Sequence, residues 1–197
     1  MMLRELVGTE RLRGRRLHLI RHARPEIERA VPPEHWHLSA EGRINALALG
    51  GRIALTAGTV FCSPEPRARE TGAIIAGAAG AQVAVHPGLS ELGFRAGFLA
   101  QEEFSRRVRA YLDGGRDAAF EPYDDARRRI VACLAELCRS EEGDLALVSH
   151  GRIMTVLLGD ILGRRLGAAE WALIAMPDWT LLDLEAGRAL KGFALGF

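Results

Sequence analysis

The chain has 197 residues, 48% of them hydrophobic and 26% charged, with a formal net charge of +1. That length and apolar content support a sizeable core, and the near-neutral balance argues against a general affinity for nucleic acid or membranes. No apolar run reaches the eighteen or more residues of a membrane span. Three cysteines, Cys62, Cys133 and Cys138, with no apolar leader segment, read as reduced thiols of a cytoplasmic protein. Lys191 is the only lysine, and every other cationic side chain is arginine, the better bidentate partner for phosphate and carboxylate. The abundance of Ala and Gly offers a plainer account, a compositional habit of the source genome.

Residues 1–15 carry Arg4, Arg11, Arg13 and Arg15 among a few leucines, and read as a flexible N-terminal arm. The domain proper is expected over 16–197. It opens with an apolar strand at 16–20 that ends in Arg21-His22-Ala23-Arg24, where Pro25 stops it for want of an N–H. Its near-continuous apolar character suits a central parallel strand covered on both faces. His18, inside that strand, reads as a core histidine with a satisfied hydrogen bond. The loop at 25–38 carries His35 and His37, but no neighbouring ligand completes a metal site.

Ser39 caps a helix on which Ile44, Leu47, Ala48, Gly51 and Leu55 share the apolar face. A second short strand, 59–62, turns through Ser63-Pro64-Glu65-Pro66 into a helix with Arg67 in its first turn. Its expected buried face is Thr71, Ile74, Ile75 and Ala78. A third strand at 82–85 completes a strand, helix, strand series typical of a parallel sheet. Residues 92–122 interrupt the alternation with a short amphipathic helix, and read as a small lid or side wall over the carboxyl edge of the sheet. A helix at about 123–140 leads to the strand 144–148, which ends in Ser149-His150-Gly151-Arg152, repeating the pattern of the first strand. Two further strands, 179–184 and about 189–195, close the chain as a hairpin. The alternation of strand and helix points to an α/β fold built on a parallel sheet.

In open α/β sheets, ligands bind outside the carboxyl ends of the strands. Arg21, His22, Arg67 and His150 all fall there. Two arginines and two histidines suit a dianionic phosphoryl group, a neutral imidazole can attack phosphorus, and a carboxylic acid must then protonate the leaving oxygen. Glu91, on the loop after the third strand, is the natural candidate, with Glu121 in reserve. Arg24 and Arg152 flank the two histidines, where they either meet a second anionic group of the substrate or form solvent-facing ion pairs.

The motifs Leu19-Ile20-Arg21-His22-Ala23, Leu38-Ser39-Ala40-Glu41-Gly42-Arg43, Ser63-Pro64-Glu65-Pro66-Arg67-Ala68-Arg69-Glu70-Thr71, Leu89-Ser90-Glu91 and Val148-Ser149-His150-Gly151 occur in that order. Together they resemble the histidine phosphatase superfamily, the phosphoglycerate-mutase-like proteins, over roughly residues 16–185. The resemblance implies an α/β fold, a three-layer α/β/α sandwich with a mostly parallel central sheet. It also implies that His22 accepts the phosphoryl group, that Arg21, Arg67 and His150 complete the phosphate pocket, that Glu91 donates the proton, and that neither metal nor organic cofactor is needed. Two departures stand out: Ala23 follows the histidine where glycine is usual, and Gly72 stands where alanine is usual. The residues that often contact phosphate after the signature are replaced by Arg24, Pro25 and Glu26.

The expected activity is a metal-independent phosphomonoesterase acting on a small phosphorylated metabolite or a phosphoprotein. The alternatives are a phosphoglycerate-type mutase using the same phosphohistidine, or a non-catalytic phosphate- or phosphoprotein-binding module. An edge strand or the outer helices leave room for a homodimer.

Overall fold

The computed structural model describes residues 2–197. Six strands, β1 (Arg16–Arg21), β2 (Thr59–Cys62), β3 (Gln82–Val85), β4 (Leu145–Ser149), β5 (Asp178–Asp183) and β6 (Arg188–Gly192), form one sheet in the order β3-β2-β4-β1-β5-β6. β3, β2, β4 and β1 are parallel, and β5 runs against both β1 and β6.

Alternation along the strands decides what each face buries. Leu17, Leu19, Phe61, Leu145 and Leu147 join one core cluster, whereas Ile20, Val60, Cys62, Ala146 and Val148 join the other. The first cluster is completed by α5 (Tyr123–Ser140) and α6 (Gly151–Ile161), the second by α2 (Ala40–Gly50) and α3 (Pro66–Ala79). The sheet is thus covered on both sides, as the apolar β1 and β4 require. Three further helices are α1 (Leu3–Val7), α4 (Gln101–Leu112) and α7 (Ala168–Leu173). Among the described residues, no helix is long and apolar enough to cross a membrane.

His18 behaves as a core histidine. Its Nε2 lies 3.0 Å from Thr56 Oγ1, its Nδ1 accepts from Trp179 Nε1 at 3.2 Å, and burial pushes its pKa down to about 4.

The orientation of α2 differs from the sequence expectation. Ile44 and Leu47 are 65% and 60% exposed, and Gly42, Ala46, Leu49 and Gly50 face inward. The reason is distance. A Cβ on Gly42 would lie 2.1 Å from the Arg24 carbonyl oxygen, and one on Gly50 would lie 3.4 Å from Ala78 Cβ. The small-residue side lets α2 approach the chain after β1 and the helix α3, and that approach outweighs the burial of two larger side chains elsewhere.

The N-terminal segment also differs from a loose arm. Leu3 and Leu12 are buried in the first cluster, and Leu3 N–H donates to Asp160 Oδ2 at 3.1 Å. The carboxylate of Asp160 also pairs with Arg127, and Arg4 Nη2 donates to the Glu185 carbonyl at 2.6 Å. Residue 1 lies outside the described residues.

The excursion at 92–122 holds α4 and an antiparallel bridge between Phe94 and Phe120. Phe94, Phe104, Phe120 and Tyr111 pack ring against ring, with centroids 4.6–5.4 Å apart. Such pairs add stabilisation of about 0.5–1.5 kcal/mol each beyond their area burial.

Candidate active site

Strand register assembles the site. Arg21 pairs with Ser149 across β1 and β4, and Val148 pairs with Cys62 across β4 and β2. His22, His150 and Ser63, the next residues along, therefore leave the sheet side by side. His22 N–H still donates to the Ser149 carbonyl and Ser63 N–H to the Val148 carbonyl, both at 3.0 Å. The rings of His22 and His150 meet edge to face, with centroids 4.9 Å apart.

The hydrogen bonds assign the His22 tautomer. Nδ1 lies 2.7 Å from the Ala23 carbonyl, which can only accept, so Nδ1 carries the proton. Nε2 keeps its lone pair and accepts from Arg67 Nε at 3.2 Å. Ala23 N–H donates to Thr71 Oγ1 at 3.0 Å, and no non-glycine residue among those described has positive φ, so alanine fits without strain.

Burial pushes the pKa of both histidines well below the usual range near 6.5. At His22, His150 and Arg67 act in the same direction; at His150, Arg67 and Arg152 do. Both imidazoles are neutral at physiological pH. His150 Nε2 meets Ser63 Oγ at 2.8 Å, and its Nδ1 lies 3.3 Å from Arg67 Nη2.

Arg67 sits in the first turn of α3, directly after Pro66, and is 7% exposed. Besides His22 and His150, its guanidinium reaches the Pro33 carbonyl and the Glu65 carboxylate. Arg21, at the end of β1, donates through Nη1 to the Ile174 carbonyl, while its Nε is buried with no partner. Its guanidinium lies over Gly151, where a Cβ would come 2.9 Å from Cζ. That close approach requires the glycine.

Glu91 is brought to the same place. Oε1 accepts from Leu92 N–H at 2.8 Å and Ile153 N–H at 3.1 Å, and Oε2 accepts from Arg152 Nε at 3.1 Å. Burial alone would raise its pKa, but Arg152 and the two amides outweigh it, so the net direction is down. Arg152 continues into the lid, with its guanidinium carbon 5.2 Å and 5.8 Å from the ring centroids of Phe104 and Phe120. Its Nη1 is the second buried, unpartnered guanidinium nitrogen in this region. Buried donors without partners are rare and call for explanation. Here two lie at the N-terminus of α6, Arg21 over Gly151 and Arg152 in the first turn, where an anion is favoured.

Arg24 is not part of the cluster. Its side chain is 64% exposed and pairs with Glu41 at 3.5 Å. Glu121 makes a two-pronged pair with Arg129, at 3.0 Å and 2.8 Å. Arg129 Nη1 also donates to the carbonyls of Gly88 and Ser90. This pair braces the loop that carries Glu91. Two other contact residues were not singled out from the sequence, Ser63 and Glu65, and Thr71 was expected only as part of a buried helix face. Ser63 and Glu65 lie in the turn before the helix, where no periodicity says which side chains turn inward.

Among the described residues, no group of three or more His, Cys, Asp or Glu is arranged to hold a metal ion. Cys133, His86 and Glu136 form a row with Sγ–Nδ1 3.1 Å and Nε2–Oε2 3.4 Å. Burial pushes the Cys133 thiol up to about 12, so this row holds a protonated core thiol and not a nucleophile.

The sequence model of the histidine phosphatase superfamily, branch 1, matches residues 17–192. The chain belongs to the histidine phosphatase superfamily. Solved structures agree on the fold of this family member. A mycobacterial hydrolase superposes with a TM-score of 0.69 at 24% identity, covering 86% of this chain and 89% of its own. A mycobacterial glucosyl-3-phosphoglycerate phosphatase gives 0.66 at 24%, covering 85% and 89%. A phosphoserine phosphatase mutant from Entamoeba histolytica, in complex with phosphoserine, gives 0.72 at 19%, covering 91% and 96%. No curated protein sequence matches this histidine phosphatase chain.

Proposed function

We propose that the protein is a metal-independent phosphomonoesterase that works through a phosphohistidine on His22. The observation that carries this reading is the state of His22: a neutral imidazole whose Nδ1 proton is held by the Ala23 carbonyl and whose Nε2 lone pair faces Arg67 and His150.

Arg21, Arg67 and His150 hold the phosphoryl oxygens, with the unpartnered Arg21 Nε supplying one donor. His22 Nε2 attacks phosphorus and the ester P–O bond breaks. The leaving oxygen takes a proton from a carboxylic acid, and the developing imidazolium is stabilised by the Ala23 carbonyl on Nδ1–H. Water then attacks the phosphohistidine. One of its protons returns to the carboxylate, the P–N bond breaks, and neutral His22 and inorganic phosphate are restored. Two carboxyl groups adjoin this centre, Glu65 and Glu91.

The solved relatives named for phosphoglycerate-type and phosphoserine substrates favour a small phosphorylated metabolite. Arg152, behind Glu91 and under the lid rings, is the cation placed for a second anionic group, and we assign no such role to Arg24.

The deciding test is phosphate release from 4-nitrophenyl phosphate between pH 4 and 9, with a chelator present and with His22→Ala as control. Release by the wild type that disappears in the variant supports the reading. Turnover that requires a bisphosphorylated primer and returns the group to substrate would identify a mutase instead. An inert wild type that still binds phosphate would identify a binding module.

A further inference from the structure

We propose that Glu65 is an internal occupant of the phosphate pocket, a positioning residue whose carboxylate holds Arg67 and His150 and competes with a phosphoryl dianion for them; this rests on the phosphate pocket of the phosphohistidine reading above. Glu65 takes no part in protonating the leaving oxygen, which is left to Glu91.

Arg67 is fully engaged within the protein. Its Nε donates to His22 Nε2 at 3.2 Å, its Nη1 to the Pro33 carbonyl and its Nη2 to the Glu65 carboxylate, with His150 Nδ1 3.3 Å from Nη2. Arg21 differs: its Nε is buried without a partner and can take a phosphoryl oxygen without giving anything up. For Arg67 to present a two-pronged edge to phosphate, one of its contacts must open. Of these partners, only Glu65 carries a negative charge.

Glu65 turns away from a local bond to reach this place. It stands at the N-cap position of α3, yet its side chain caps no helix N–H. Instead, Oε1 accepts from Glu91 N–H at 2.9 Å and lies 3.4 Å from His150 Nε2, while Oε2 meets Arg67 Nη2. The carboxylate oxygens therefore stand where a ligand's oxygens would bond the same two side chains.

A dianion arriving there brings like charges together in a buried site, which is costly. The groups facing the carboxylate decide how that cost is relieved. Burial is the largest influence and pushes the Glu65 pKa up; Glu91 acts in the same direction, and Arg67 and Arg152 act against it. His150 is held neutral and adds no charge. Once the dianion engages Arg67, burial and Glu91 prevail, and Glu65 takes up a proton from solvent. When phosphate leaves, that proton is lost and the carboxylate returns to Arg67. Glu65 thus weakens the grip on the product as well as on the substrate.

The test is the binding of sulfate, which stays a dianion throughout, measured by titration calorimetry from about pH 5 to 8 and so independent of turnover. Glu65→Gln should bind sulfate at least about tenfold more tightly than wild type at pH 7.5, because the competing charge is gone. Glu65→Asp keeps the charge and should stay within about threefold of wild type. In the wild type, the sulfate Kd should rise with pH above the ordinary carboxylate range near about 4.3, as Glu65 ionises, and the rise should be smaller in Glu65→Gln. Arg67→Ala should weaken binding at least about tenfold. Sulfate bound no more tightly by Glu65→Gln than by wild type overturns the proposal and makes Glu65 a simple brace for Arg67. Equal tightening in Glu65→Asp also overturns it, since size and not charge would then be at work, as does binding that survives Arg67→Ala. A wild type inert on 4-nitrophenyl phosphate, with sulfate still tightened in Glu65→Gln, overturns the phosphohistidine reading and leaves the competition for Arg67 standing.

Discussion

Gly72 on α3 faces Cys62 on β2 so closely that a Cβ at position 72 would lie 2.1 Å from Sγ. The thiol fills the space that alanine's methyl would occupy, and this pair accounts for the glycine where the family pattern has alanine. Gly72→Ala should destabilise the fold by about 1–3 kcal/mol, the cost of overpacking a closed core. In a Cys62→Ala background the same substitution should cost at least about 1 kcal/mol less, because the two sites share one volume. Urea unfolding of the four-member cycle measures the coupling. Additive costs would mean that the backbone of α3 shifts to absorb the methyl.

His22→Ala should remove at least about 10³-fold of kcat, as loss of a nucleophile does, and no acid-labile phosphoryl label should remain on the quenched variant. His150→Ala leaves the nucleophile in place, so label should still form, with the loss falling on its rate of formation. Rapid-quench labelling separates the two. Equal labelling of wild type and His22→Ala would refute the assignment.

Stability should fall as the solution is acidified below neutrality. His18 is held neutral with a folded pKa of about 4, below its unfolded value near 6.5. Between these values the unfolded chain binds a proton that the native one refuses. The contribution is therefore fully present above about pH 6.5 and is lost as pH falls through about 4. His22 and His150 act in the same direction. A denaturation series from pH 7.5 to 4 should show the decline, and His18→Gln should flatten part of it. A stability that is level over this range would show that these histidines are not held neutral.

Asp160→Ala should cost about 1–3 kcal/mol and loosen the N-terminal segment first. It removes the acceptor of Leu3 N–H and the partner of Arg127 in one step. Hydrogen exchange should show residues 3–7 opening earlier in the variant than in the wild type. Unchanged protection would place the anchoring of this helix in Leu3 and Leu12 alone.

The α/β class was legible because β1 and β4 are apolar on both faces and strand alternates with helix, and both patterns are properties of local sequence. Arg21, His22, Arg67, His150 and Glu91 could be singled out because each follows a strand or opens a helix, and strand ends are where such sheets bind ligands. Two local patterns misled. The larger apolar residues of α2 suggested its inner face, whereas a 2.1 Å limit at Gly42 turned the small side inward. The charges of residues 1–15 suggested a free arm, whereas two leucines and the distant Asp160 hold that segment against the core.

By itself, then, the sequence determined which residues stand at strand ends and which chemistry their types permit, because periodicity and turn residues act over a few positions. Only the tertiary structure decided their company. Register places His22 beside His150, Arg67 bridges both rings, Arg24 turns out to Glu41, and Glu65 turns in to Arg67. These outcomes depend on contacts between residues up to 128 positions apart, where distance and desolvation, and not local pattern, select the partner.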